Sequence, residues 1–195
     1  MNLLKLAKNF WIDYSIQRTF LGGRVESIDG REMMYDTVST GYNHAEFIFF
    51  KYYSIQPNDV IVEVGCGKGR VINYLLYKGI KNKIIGYEIN VRLENLTKKR
   101  LARFKNVDIH SGNILENFPS EANLFYLFNP FKEGMMEAFK EKIWAIRNCN
   151  PTMLYFNPTC LDVFNDARFT YKILNVPIPF FGFDYKLAII NIKEL

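Results

Sequence analysis

The sequence predicts an α/β fold in which a mostly parallel, twisted sheet is covered by helices on both faces. Three observations predict it. Between residues 60 and 168, short apolar segments alternate with stretches of helical periodicity, the pattern of strands joined by crossover helices. The first apolar segment, Val60-Ile-Val-Glu-Val64, is rich in β-branched residues and runs into a loop with glycine at 65, 67 and 69, after which a helix begins. Finally, a chain of 195 residues with 49% hydrophobic and 23% charged residues can bury one substantial core and is short for two, so a single domain over 1–195 is expected.

Residues 1–59 read as a helical, lid-like region ahead of the core at 60–195. Leu3, Leu4, Leu6, Phe10, Trp11, Tyr14 and Ile16 fit an amphipathic helix, Gly22-Gly23 and Asp29-Gly30 mark turns, and 43–53 reads as a second helix. Pro57-Asn58-Asp59 turns into the strand at 60–64. In the helix at 70–78, apolar residues recur at 71, 72, 75 and 76, and Gly79 stands where a C′ cap falls. A buried strand at 83–88 precedes a helix at 91–104 with a stripe of Leu93, Leu96, Leu101 and Phe104. Strands at 107–110 and 122–128, a helix at 134–146, a strand at 152–156 and a helix at 159–167 continue the alternation. Segments 169–176 and 183–192 are strands that can pair as a hairpin across Pro177–Gly182.

Composition narrows the function classes. No run of eighteen apolar residues spans a membrane, and Lys5, Lys8 and Asp13 interrupt the N-terminal apolar run a signal peptide needs, so the cytoplasm is the expected location. Cys66, Cys149 and Cys160 match no zinc spacing, and with His44 and His110 the only histidines, no metal site is expected. The net charge of +5 is concentrated in Lys98-Lys-Arg-Leu-Ala-Arg103 and Lys105, a solvated helix face or a patch for an acidic partner such as nucleic acid.

The glycine loop carries the functional signal. Glycines without a Cβ let another molecule approach the main chain, and the following helix N-terminus favours negative charge. A dinucleotide fingerprint needs its third glycine where this chain has Arg70, and a P-loop needs Ser or Thr after lysine, whereas Lys68 precedes Gly69. About twenty residues on, Lys83-Ile-Ile-Gly-Tyr-Glu88 ends in an acid at the place where ribose hydroxyls are bound in nucleotide-type folds.

Glu63-x-Gly-x-Gly-x-Gly69 followed by Gly86-Tyr-Glu88 resembles the first two motifs of class I S-adenosylmethionine-dependent methyltransferases. The resemblance implies a Rossmann-like fold with an antiparallel C-terminal strand and S-adenosyl-L-methionine as cofactor. It implies that Gly65, Gly67 and Gly69, with Cys66 between them, pass under the methionine part, that Glu88 binds both ribose hydroxyls, and that Glu63 orients the loop and the ammonium end. Tyr87 and Ile89 are placed to pack on adenine, and Asn113, with Ile114 beside it, falls where the family has an acid contacting the adenine amino group. Thr40 and Tyr42 lie where related enzymes close over the methionine end.

The strand at 122–128 delivers Asn129-Pro130-Phe131 to the same rim, resembling the Asn/Asp-Pro-Pro-aromatic motif of nitrogen-methylating enzymes with one proline missing. Small bacterial class I methyltransferases with Phe-Asn-Pro-Phe are a closer match. By that resemblance Asn129 would accept a hydrogen bond from the target NH group and also meet the cofactor, and Phe131 would form a platform for the substrate. The reading is a methyltransferase acting on a nitrogen of a protein side chain or small molecule. The alternatives are a nucleic-acid methyltransferase and a non-catalytic, cofactor-binding scaffold of the same fold.

Overall fold

The computed structural model describes residues 3–23, 39–177 and 184–193. In chain order these form α1 (Leu3–Gln17), α2 (Tyr42–Glu46) continuing as a π-helical turn (Phe47–Tyr52), β1 (Ile61–Val64), α3 (Arg70–Tyr77), β2 (Ile84–Glu88), α4 (Val91–Leu101), β3 (Val107–Ser111) and β4 (Leu124–Phe128). Then come α5 (Glu133–Ala145), β5 (Thr152–Phe156), β6 (Phe169–Pro177) and β7 (Asp184–Ile192), with 3-10 turns at Arg147–Cys149 and Leu161–Phe164.

The strands make one seven-stranded sheet in the order β3-β2-β1-β4-β5-β7-β6. The first five are parallel, and β7 runs antiparallel to both β5 and β6. The chain therefore builds outward from β1 to β3, then returns to lay β4 on the other side of β1. The crevice beyond the carboxyl ends of β1 and β4 is the switch point where open α/β sheets bind ligands.

Strict alternation of side chains divides the core between the two faces. Ile61, Leu124, Tyr126, Leu154, Phe156, Leu187 and Ile189 pack on one face under α1, α2, the π-helical turn and α3. Val62, Val64, Phe125, Leu127, Met153, Tyr155, Ala188 and Ile190 pack on the other, under Met136, Phe139 and Ile143 of α5 and the turn at 161–164. Burying each large side chain of this kind stabilises the fold by about 1.5–3 kcal/mol, which is why residues buried on both faces form near-continuous apolar runs.

Three local readings differ. The helix expected at 159–167 is only a 3-10 turn, because side chains capture the backbone or one another there: the Asn165 amide bonds Asp162 at 3.2 Å and the Asp166 carboxylate takes the Arg168 N–H at 2.7 Å. In α4 the expected stripe member Leu96 is exposed, and Glu94 and Thr97 are buried with Leu93 and Leu101 instead. The helix ends at Leu101, short of Phe104. The turns expected at Asp29-Gly30 and at 178–182 lie outside the described residues. Among the described residues, no helix is long and apolar enough to cross a membrane.

Candidate functional site

A cleft with about 880 Å³ of empty space, its open mouth included, lies beyond the ends of β1, β2, β3 and β4. It gathers residues far apart in sequence: Thr40; Glu63, Gly65 and Cys66 after β1; Tyr87, Glu88 and Ile89 at the end of β2; Asn113 and Ile114 after β3; Asn129, Pro130 and Phe131 after β4. A Cβ on Gly65 would come within 3.5 Å of the Pro130 side chain, so the loops after β1 and β4 face each other closely across the cleft.

Glu88 is almost fully buried, yet both its oxygens are bonded: Gly67 N–H donates to Oε2 at 2.8 Å and Asn90 N–H to Oε1 at 2.8 Å. Burial pushes its carboxyl up, and these backbone donors pull it back part of the way. A carboxylate offers about four lone-pair positions, so each oxygen retains capacity for one further donor.

Glu63 has a harsher environment. Desolvation and the nearby Glu88 charge hold its carboxyl well above the usual range, and Oε2 is buried with no hydrogen-bond partner. Its neighbour across the sheet is Tyr126, whose hydroxyl shares a 2.7 Å hydrogen bond with Thr40 Oγ1 and so pins the segment at 39–40 beside the cleft. Burial, Glu63 and Glu88 all raise the Cys66 thiol, which stays protonated and serves as a small wall residue rather than a nucleophile.

Three expected contacts fall outside the cleft lining. The Gly67 N–H is occupied by Glu88, and its carbonyl accepts from Thr97 Oγ1 at 2.9 Å, so its peptide joins β2 and α4. Gly69 faces the helices: a Cβ there would stand 2.8 Å from Thr97 Cγ2 and 3.3 Å from Gln17 Nε2. Tyr42 stacks on Tyr74 and donates its hydroxyl to Asp13 within a buried network.

At the rim after β4, Asn129 has a left-handed backbone, φ 50°. Its Oδ1 accepts from Tyr155 Oη at 3.0 Å, Thr159 Oγ1 at 2.7 Å and, more distantly, Thr159 N–H at 3.4 Å. Cys160 N–H donates to Tyr155 Oη at 3.2 Å, and burial pushes the Tyr155 phenol up to about 12, so that hydroxyl keeps its proton and donates onward. The Asn129 oxygen expected to receive the target NH is therefore engaged with β5 and the Thr159 loop. Phe131, expected as the platform, is mostly buried against Phe139 at 5.6 Å. Phe128, part-exposed and packed on Phe156 at 4.9 Å, supplies an aromatic surface to the cleft that the sequence reading did not name.

Near β2 and β3, Tyr87 stacks on His110 at 5.2 Å and donates to the Asn117 carbonyl at 2.6 Å. Asn113 Oδ1 takes the Leu115 N–H at 3.0 Å, leaving it one lone pair. Lys68, Arg70 and Tyr126 also line the cleft, none of them an expected site residue. The helical offset of Arg70 from the glycine loop was the available signal for that residue; Tyr126 had none, because its role depends on strand register. Among the described residues, no group of three or more His, Cys, Asp or Glu could hold a metal ion.

No protein-family profile matches the chain. The ribosomal RNA small subunit methyltransferase A of Thermotoga neapolitana is 32% identical over 105 residues, a match covering 50% of this chain and 40% of that relative. The match thus spans less than half the relative's length. An RNA methyltransferase from Salinibacter ruber, solved with S-adenosyl-L-homocysteine, superposes with a TM-score of 0.60 at 16% identity, covering 81% of this chain and 95% of that one. A Streptococcus pneumoniae protein suggested to be a tRNA (m1A22) methyltransferase, solved with S-adenosyl-L-methionine, gives 0.57 at 12% identity, covering 78% and 71%. At these identities the structural likeness is one of fold.

Proposed function

We propose that this chain, which carries the Rossmann-like fold of those methyltransferases, is an S-adenosylmethionine-dependent methyltransferase whose acceptor is RNA. The observation that carries the reading is a pair of carboxylates on adjacent strands: Glu63 and Glu88 line one cleft, the first with an orphaned buried oxygen, the second clamped by the glycine loop with lone pairs to spare. An orphaned carboxylate oxygen fits an ammonium, and an anchored carboxylate fits two vicinal hydroxyls. These residues therefore suit a cationic amino-acid nucleoside.

When bound, such a cofactor supplies an electrophilic methyl group for in-line displacement. The chain's own contribution is positional. Glu63 neutralises the ammonium, Glu88 fixes the sugar, Tyr87 and Ile89 flank the base, and Asn129, held by Tyr155 and Thr159, shapes the rim where the nucleophile enters. Orientation of this kind can lower a barrier by up to roughly 7–11 kcal/mol without any covalent catalytic residue.

RNA is favoured over the protein or small-molecule acceptor because the Thermotoga relative is a ribosomal RNA enzyme and because cations converge beside the cleft. Arg18, Lys99, Arg100 and Arg103 line one groove between α1 and α4. Lys68 carries that charge to the edge of the cleft, where burial, Arg100 and Arg70 all lower its ammonium. Such a track suits a polyanion.

Titration calorimetry with S-adenosylhomocysteine, followed by transfer of labelled methyl to ribosomal RNA transcripts, tests the proposal. Binding in the micromolar range and salt-sensitive RNA labelling are expected. Absence of binding overturns the cofactor assignment, and labelling confined to proteins or small amines overturns the acceptor.

A further inference from the structure

We propose that Arg70 anchors the carboxylate of the cofactor's amino-acid end, and that Asp13 and Tyr42 hold it in position; the inference rests on the cofactor reading above. Four buried side-chain atoms lack a hydrogen-bond partner among the described residues: Gln17 Oε1, Glu63 Oε2, Arg70 Nε and Asn73 Oδ1. Only Glu63 and Arg70 of these residues line the cleft, one an acid and the other a base. An α-amino acid head bears one ammonium and one carboxylate, so the two orphans match its two ends.

Arg70 is placed and restrained for this task. As the first residue of α3 it follows Gly69 directly, and its side chain is only 12% exposed. The guanidinium carbon lies 4.4 Å from the centre of the Tyr42 ring, and Nε forms an ion pair with Asp13 Oδ1 at 3.8 Å, longer than a hydrogen bond. Asp13 is itself fixed by the Leu21 N–H at 3.1 Å and the Tyr42 hydroxyl, to which Asn73 Nδ2 donates at 3.1 Å. The planar donor fork is thus pre-oriented while keeping donors for an incoming carboxylate. Lys68, the other cation of the cleft, directs its ammonium to the Gly22 carbonyl at 2.8 Å. Tyr42 and Asp13 therefore act on the ligand through Arg70, although Tyr42 does not line the cleft.

The test compares two ligands by calorimetry: S-adenosylhomocysteine, which has the carboxylate, and 5′-methylthioadenosine, which lacks the amino-acid head. Arg70→Gln is expected to weaken the first by roughly 10–100-fold, the range for a hydrogen bond to a charged group, and the second by less than about threefold. Arg70→Lys, which keeps the charge without the fork, is expected to show the same selectivity at smaller size, and it serves as the test should the glutamine variant fail to fold. Asp13→Asn is expected to weaken only the first ligand. If the wild type binds both ligands but Arg70 variants lose neither, or lose both equally, the carboxylate assignment is wrong. If the wild type binds neither, the cofactor reading has failed together with it.

Discussion

Gly67 donates its amide N–H to the Glu88 carboxylate at 2.8 Å, tying the loop after β1 to the end of β2. One side chain thereby shapes the cradle and offers lone pairs to a ligand. Glu88→Ala leaves the Gly67 and Asn90 amides without their acceptor, at a cost of about 1–3 kcal/mol for each group that stays buried. Thermal unfolding is expected to fall by several degrees, and calorimetry to register at least a tenfold weaker nucleoside. Glu88→Gln, which retains one acceptor oxygen, is expected to lose less stability but similar affinity.

Glu63 makes a prediction with a definite sign. Its folded carboxyl is held above the ordinary 4.5 by burial. Below 4.5 both folded and unfolded chains hold the proton, and the contribution to stability is fully present. As pH rises from there through the raised folded value, the unfolded chain ionises first and stability is lost. Glu63→Gln is expected to be more stable than the wild type at pH 8 and to remove part of the slope in urea melts, the part owed to Glu88 remaining. The same variant is expected to lose binding of the ammonium-bearing ligand, an exchange of function for stability.

Two glycines with similar backbones are expected to respond differently to alanine. Gly69 has φ +69° and would place its Cβ 2.8 Å from a Thr97 methyl, while Gly79 has φ +82° and opens onto space. Thr97 is fully buried and bonded to the Gly67 carbonyl, so it cannot swing aside freely. Chemical denaturation is expected to show a loss of about 1–2 kcal/mol at Gly79 from the left-handed backbone alone. At Gly69 the overpacking adds about 1–3 kcal/mol more.

Asn129 separates binding from turnover. Asn129→Ala is expected to leave S-adenosylhomocysteine affinity within about threefold while reducing methyl transfer at least tenfold, since misplacing a rim group acts on alignment. Thr159→Val, which removes the 2.7 Å donor to Oδ1, is expected to reduce turnover in the same direction by a smaller factor. Single-turnover labelling alongside calorimetry measures both.

What could be read from the sequence was local or periodic. Val60–Val64, the loop after it and Glu88 announce themselves because strand composition, glycine spacing and a strand-end acid are all encoded within a short stretch. The two faces of the sheet follow from alternation, so the α/β architecture was legible nearly throughout. What escaped reading depends on distant partners. Gly67 and Gly69 look alike in sequence to Gly65, yet only packing on Thr97 and Gln17 reveals that Gly69 makes room for helices. Asn129 was legible as a rim residue, but the donors that occupy its oxygen come from Tyr155 and Thr159, beyond α5. Tyr42 lies outside the cleft lining, and its contact with Arg70 is visible only in three dimensions.

The position of β7 between β5 and β6 sets a timetable for biosynthesis. During translation β5 emerges with one bare edge, and its neighbour is not made until the ribosome has added residues 184–192. Without β7, Leu154, Tyr155 and Phe156 would present an unpaired, strongly apolar edge, the kind of surface chaperones shield and aggregates recruit. β7 thus closes the edge on which the rim residue Tyr155 lies, pairing it with Ala188.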